Sequence, residues 1–239
     1  MPPDQIVKLA RAVQPLVFET GIAEFPYSAA GTVFLVRYKG SPFVLTTRHA
    51  LNPDSLGPIC IFPSDVSHRL IPLRDVFYVS KGDVDEDYVD LAVLAIDMLN
   101  IAHSEVAQAV LIDMILASGD WQTYARDSTF VIIGFPEEHS FVDCETQTIN
   151  TTRVVLHASY VGPSPLQFLH ELEITNTHSL TTFSGFSGSP VFAWIQPINQ
   201  RPRVVLCGMA IRGTRSSGRI HFLDRSVLLD ALNVKMAIG

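Results

Sequence analysis

Gly185-Phe186-Ser187-Gly188-Ser189-Pro190, followed by the apolar run Val191-Phe192-Ala193-Trp194-Ile195, decides how this chain is read. A serine stands between two glycines at the mouth of a turn that feeds a strand. Glycine lets the backbone turn tightly, so the N–H groups around the serine can converge on one point. That arrangement suits a nucleophile whose reaction builds negative charge on an oxygen. Taken alone, the hexapeptide reads better as an ordinary turn. Its weight comes from two other segments.

Phe43-Val44-Leu45-Thr46-Thr47-Arg48-His49-Ala50-Leu51 is an apolar, β-branched run that closes on a histidine. Asp90-Leu91-Ala92-Val93-Leu94 is an acid followed at once by a strand-like run. Asp83, Asp85 and Asp87 fall in the polar run 82–87, which reads as a solvated loop, and Asp97 follows the strand. Only Asp90 directly precedes the run that would fix its side chain. The order is His49, Asp90, Ser187, with separations of 41 and 97 positions.

These segments resemble the three boxes of the trypsin-like (chymotrypsin-fold) serine peptidases. Leu45-Thr46-Thr47-Arg48-His49-Ala50 is similar to "LTAAHC", Asp90-Leu91-Ala92-Val93-Leu94 to "DIALL", and Gly185-Phe186-Ser187-Gly188-Ser189-Pro190 to "GDSGGP". The chain order is also that family's, whereas an α/β-hydrolase places its nucleophile first. The resemblance covers the chain from about residue 20 to 230. It implies an all-β fold of two six-stranded antiparallel β-barrels, with a few short helices that include a C-terminal one. It also implies a serine endopeptidase acting through an acyl-enzyme, with a polypeptide as substrate. Ser187 would attack, His49 would carry the proton, Asp90 would orient the imidazole, and the N–H groups of Gly185 and Ser187 would form the oxyanion hole.

The resemblance places the substrate pocket at Thr181, Thr182 and Phe183 and at the later Ile211 and Arg212. Thr181 stands where trypsin itself has an acid, so cleavage after Lys or Arg is not expected. Arg212 turned inward would favour an acidic P1 residue; turned outward, it leaves a small polar pocket for Ala, Ser or Thr. Two departures matter. Ala50 replaces the disulfide cysteine of secreted animal members, and Phe186 replaces the acid of zymogen-activated ones. Both bring the chain closer to the bacterial and viral branches. Without that switch, restraint falls to narrow specificity, an inhibitor or a regulatory protein partner. The competing reading is a catalytically silent protein-binding module on the same fold.

Composition agrees with a folded enzyme. The chain has 239 residues, 47% of them hydrophobic, enough for a two-lobed domain with a large core. Mean hydropathy is +0.25, and the net charge of −7 comes without a long basic run, which argues against nucleic acid and anionic membranes as partners. Cys60, Cys144 and Cys207 show no C-x-x-C spacing and fit a reducing compartment. The start lacks a signal-peptide pattern and no stretch reads as a membrane span, so a soluble, cytoplasmic protein is expected. His68, His103, His139, His157, His170, His178 and His221 lack metal-ligand spacing and read as structural or surface residues. The chemistry calls for no metal or cofactor. Trp121 and Trp194 read as core, and Cys144 and Cys207 as small buried hydrophobes.

Periodicity divides the chain into four parts. Residues 1–19 form an N-terminal segment, helical over 4–13. Residues 20–103 form the first barrel, with a hairpin at Lys39-Gly40-Ser41 and further strands at 59–62, 70–73, 77–80 and 90–96. Residues 104–120 form a connecting helix, from Ser104 to Gly119. Residues 121–239 form the second barrel, with strands at 130–133, 142–148, 153–158, 172–175, 189–194 and 204–211, then a helix over 226–236 capped near Asp224.

Overall fold

The central strands of this protein have almost no solvent face. In the strand Phe25–Tyr38, Val33 and Leu35 point one way and Phe34 and Val36 the other, and all four are fully buried. A period of two therefore sorts side chains between two cores instead of between core and water. This is why these segments read as continuous apolar runs. The computed structural model describes residues 1–51, 59–63, 70–79, 90–100, 109–115, 119–143, 145, 148–176 and 180–238.

The chain opens with α1 (Pro3–Ala10), which has Pro3 in its first turn, where the missing N–H costs nothing. The first sheet follows: β1 (Val13–Ile22), β2 (Phe25–Tyr38), β3 (Ser41–Thr46), β4 (Ile59–Cys60), β5 (Leu73–Tyr78), β6 (Ala92–Ile96) and β7 (Ile112–Asp113). Its order is β4-β1-β2-β3-β6-β5, antiparallel throughout, with β7 added parallel to β2. The second half contains β8 (Thr129–Gly134), β9 (Ser140–Asp143), β10 (Thr148–Thr151), β11 (Val154–Pro163), β12 (Leu169–Ile174), β13 (Pro190–Ile195), β14 (Arg203–Thr214), β15 (Arg219–Asp224) and α2 (Arg225–Ile238). Six of its strands close a barrel in the order β11-β12-β15-β14-β13-β8, and β9 and β10 pair as a separate ribbon.

The second barrel is six-stranded and closed, and the C-terminal helix is present. The first lobe corrects the expectation of a second closed barrel: among the described residues it is a curled, open sheet. Its edges explain this. β4 pairs with β1 over only two residue pairs, Val17 with Cys60 and Phe18 with Ile59. β5 exposes Arg74 and Asp75 at the opposite edge, and such charges keep a sheet edge from finding a partner.

Three local expectations also change. β1 begins at Val13, ahead of the 19/20 boundary, because pairing with β2 satisfies its backbone from Val13 onward. Residues 104–108 and 116–118 of the expected helix lie outside the described residues. Between them the chain runs as β7, whose Ile112 pairs with Val36 and enters the shared core. The single strand expected over 142–148 is instead two antiparallel strands, β9 and β10, that pair Asp143 with Thr148.

Three cores result. One fills the closed barrel with Phe130, Ile132, Val191, Ala193 and Phe222. A second lies inside the first sheet with Val33, Leu35, Val44, Ala92 and Leu94. The third joins the two lobes: Phe34, Leu45 and Val93 pack with Val131, Ile133, Phe192 and with Leu228 and Leu232 of α2. α2 belongs to the second half of the chain but reaches the first sheet, where Lys235 Nζ lies 2.8 Å from Asp75 Oδ1 and Tyr38 donates to Asn233 at 2.7 Å. No helix among the described residues is long and apolar enough to cross a membrane.

Candidate active site

β3 and β6 are neighbours, with Thr46 opposite Ala92 at their ends. His49 lies just past the end of β3, and Asp90 just before the start of β6, so the pairing brings them together. Leu51 and Leu91, both fully buried, anchor the two backbones. The Asp90 carboxylate accepts the His49 backbone N–H at 3.0 Å and meets its Nδ1 at 2.7 Å. The hydrogen bond to Asp90 raises the His49 pKa above 6.5; desolvation opposes this and the Asp90 charge adds to it. Of the rival acids, Asp97 accepts from Leu99 N–H and Asn100 and caps its own turn. Asp83, Asp85 and Asp87 lie outside the described residues.

Ser187 sits in the turn that enters β13. Gly185 and Gly188 hold φ of +91° and +88°, a region L side chains avoid. Space forbids a side chain at both as well. A Cβ on Gly185 would come within 2.3 Å of the Phe135 carbonyl, and one on Gly188 within 2.0 Å of the Thr32 carbonyl. Phe186, only 2% exposed, turns away from Ser187 into the barrel core and packs edge-on against Phe183 at 6.4 Å. The Ser187 hydroxyl donates to the Ile211 carbonyl at 3.1 Å, and among the described residues no hydrogen bond joins it to His49.

The backbone around Ser187 is ordered in a particular sense. The Ser184 carbonyl accepts from Glu137 N–H at 3.0 Å. The peptide plane is trans, so the Gly185 N–H faces the opposite side. Among the described residues, neither the Gly185 N–H nor the Ser187 N–H donates to a protein acceptor.

His49, Asp90 and Ser187 line one cleft of about 280 Å³, together with Phe183, Ser184, Ile211, Arg212 and Gly213. It is built from both lobes: the histidine and acid come from the first, and the rest from the second. Of the residues assigned to a substrate pocket, Phe183, Ile211 and Arg212 line this cleft. Thr181 and Thr182 do not; Thr181 donates its N–H to the Glu138 carboxylate at 3.0 Å and its hydroxyl bonds the same group. A smaller cavity of about 10 Å³ is lined by Ser187 together with Phe183, Phe186, Ala210, Arg212, Gly213 and Ile220. No cluster of His, Cys, Asp and Glu among the described residues is placed to hold a metal ion.

Sequence reading missed Thr32, Glu137 and Glu138, all in contact with the segment that leads into Ser187. Thr32 lies 153 positions from Gly185, so no local pattern connects them.

Among solved structures, Glu endopeptidase in complex with MPD superposes with a TM-score of 0.56 at 16% identity, covering 95% of this chain and 91% of that one. The fold is trypsin-like. A chain from the structure described as "Aromatic interactions drive the coupled folding and binding of the intrinsically disordered Sesbania mosaic virus VPg protein" superposes at 0.48 and 11% identity, over 92% of this chain and 95% of that one. No protein-family model matches the sequence, and no curated protein matches it. In this chain the three boxes meet at the cleft between the lobes.

Proposed function

We propose that this protein is a serine endopeptidase that hydrolyses peptide bonds through an acyl-enzyme. The observation that carries the reading is the single cleft in which His49, held by Asp90, and Ser187 meet from different lobes. Ser187 Oγ attacks the scissile carbonyl. His49 Nε2 takes the hydroxyl proton and delivers it to the leaving amine, while Asp90 fixes Nδ1–H and stabilises the imidazolium. The N–H groups of Gly185 and Ser187 receive the oxyanion. The contact of Ser187 with Ile211 belongs to the resting state, and attack requires the hydroxyl to rotate toward His49. Arg212 is exposed yet lines the cleft, which supports an acidic P1 residue. Cys60 and Cys207, both buried, support action in a reducing, cytoplasmic setting. Ala50 and Phe186 support a place near the bacterial and viral branches.

The Ser187–Ile211 bond is also what a silent binding module on this fold would show, so the test must separate the two readings. A fluorophosphonate probe labels the wild type and leaves Ser187→Ala unlabelled. Proteome-wide cleavage mapping with the same variant as control yields sites dominated by Asp or Glu at P1. Equal labelling of both proteins, or no cleavage beyond the control, overturns the peptidase reading.

A further inference from the structure

Thr32 is fully buried on β2 of the first lobe, yet its hydroxyl and N–H serve the second. Its hydroxyl donates to the Gly185 carbonyl at 2.7 Å and accepts the Phe135 N–H at 2.9 Å. Its own N–H donates to the Ser187 carbonyl at 3.1 Å. Its carbonyl accepts from Thr46 Oγ1 at 2.8 Å, and Thr46 ends the strand that leads to His49. One residue thus touches the turn that carries the serine at two points, the end of β8 at a third and the histidine strand at a fourth.

The consequence follows from the two peptide planes that meet at Gly185. Glu137 N–H holds the plane before it through the Ser184 carbonyl. The plane after it is held at one end by the Thr32 hydroxyl on the Gly185 carbonyl and at the other by the Phe186 N–H on the Phe183 carbonyl at 3.2 Å. A glycine at φ +91° has no side chain to resist rotation. A 184–185 peptide that broke its surface tie to Glu137 could turn over only by rotating about the adjoining plane, and a carbonyl oxygen would then replace the Gly185 N–H; the Thr32 tie resists that rotation. A donor to developing negative charge would then become a repelling dipole. Glu137 is on the surface, whereas the Thr32 tie is shielded from water, where hydrogen bonds are strongest and unmade ones costliest.

We propose that the Thr32 hydroxyl is a positioning group that holds Gly185 in its donor orientation and keeps the serine turn in register with the His49 strand. This rests on the peptidase reading. The test uses the full chain and a fluorophosphonate probe, separating the limiting labelling rate from the half-saturating probe concentration. Thr32→Val keeps the shape and removes the hydroxyl; its limiting rate falls about tenfold to a hundredfold while half-saturation stays within about twofold. Thr32→Ser restores the hydroxyl and returns the rate to within about threefold of wild type. Thr32→Cys, with a weaker donor, falls between them. It provides the comparison if the valine variant does not fold, which circular dichroism reports. A valine variant labelled at the wild-type rate overturns the proposal, as does a serine variant as slow as valine. A wild type that is not labelled at all overturns the peptidase reading with it, whereas a labelled wild type confines any failure to Thr32.

Discussion

At the scale of the residue, His49 carries two opposed pH dependences. Its raised pKa means that the folded protein favours the imidazolium paired with Asp90. The contribution of that pair to stability is fully present below the unfolded value of 6.5 and is lost as pH rises through the folded value. On the proposed peptidase mechanism, proton abstraction by His49 needs the neutral ring, which prevails only above the folded value. Activity is therefore expected to rise with pH through a midpoint above 6.5 while this pair stabilises less. Asp90→Asn removes the largest cause of the shift. It moves the midpoint of the pH–labelling profile down and lowers the maximum by about 10⁴. An unmoved midpoint would show that Asp90 does not set the titration.

At the scale of the element, the junction of β15 and α2 turns on Asp224. Its Oδ1 accepts the Ser226 N–H and hydroxyl, each at 2.7 Å, which caps the helix. Its Oδ2 accepts from Gln122 at 3.2 Å and lies 3.4 Å from His170 Nε2. Burial pushes its pKa up, but the hydrogen bonds from His170 and Ser226 outweigh it and leave the carboxyl below 3.8. A depressed acid stabilises above its unfolded value and loses that contribution as pH falls through the folded one. Asp224→Ala should cost about 2–4 kcal/mol, combining a lost cap with orphaned Gln122 and His170, and Asp224→Asn about half of that. Chemical denaturation at pH 7 measures both. The asparagine variant should also lose less stability than wild type on going below pH 3.8.

At the scale of the whole molecule, the lobes share a core and should not unfold apart. Phe192 leaves the barrel wall on the side opposite Val191 and Ala193 and packs among side chains of both lobes and α2. Phe192→Ala opens a cavity in that shared core and should cost about 3–5 kcal/mol. Calorimetry should still show one transition, with calorimetric and van't Hoff enthalpies equal in wild type and variant. Two separated transitions would mean that the interface between the lobes is not a core. The cleft follows from the same architecture, since its floor is where the two halves meet.

What the sequence determined by itself is local. Each box names its residue types because the chemistry of its turn or strand end is written in consecutive positions. The glycines at 185 and 188 are needed for backbone reasons, and Asp90 stands out by directly preceding a buried strand. The strands of the second half and the C-terminal helix were legible because apolar runs, turn residues and a cap are short-range signals; that those strands close into a barrel was implied only by the resemblance. The open first sheet was not, because closure depends on which edges find partners across the chain. The strand at Ile112 was not, because an apolar run of that length suits either period until β2 pairs with it. Tertiary structure alone decided the direction of the Gly185 N–H and the tie from Thr32. Hydrogen bonds between residues 153 positions apart leave no periodicity to read. The serine turn was visible in one hexapeptide, but its orientation is set by a strand from the other lobe.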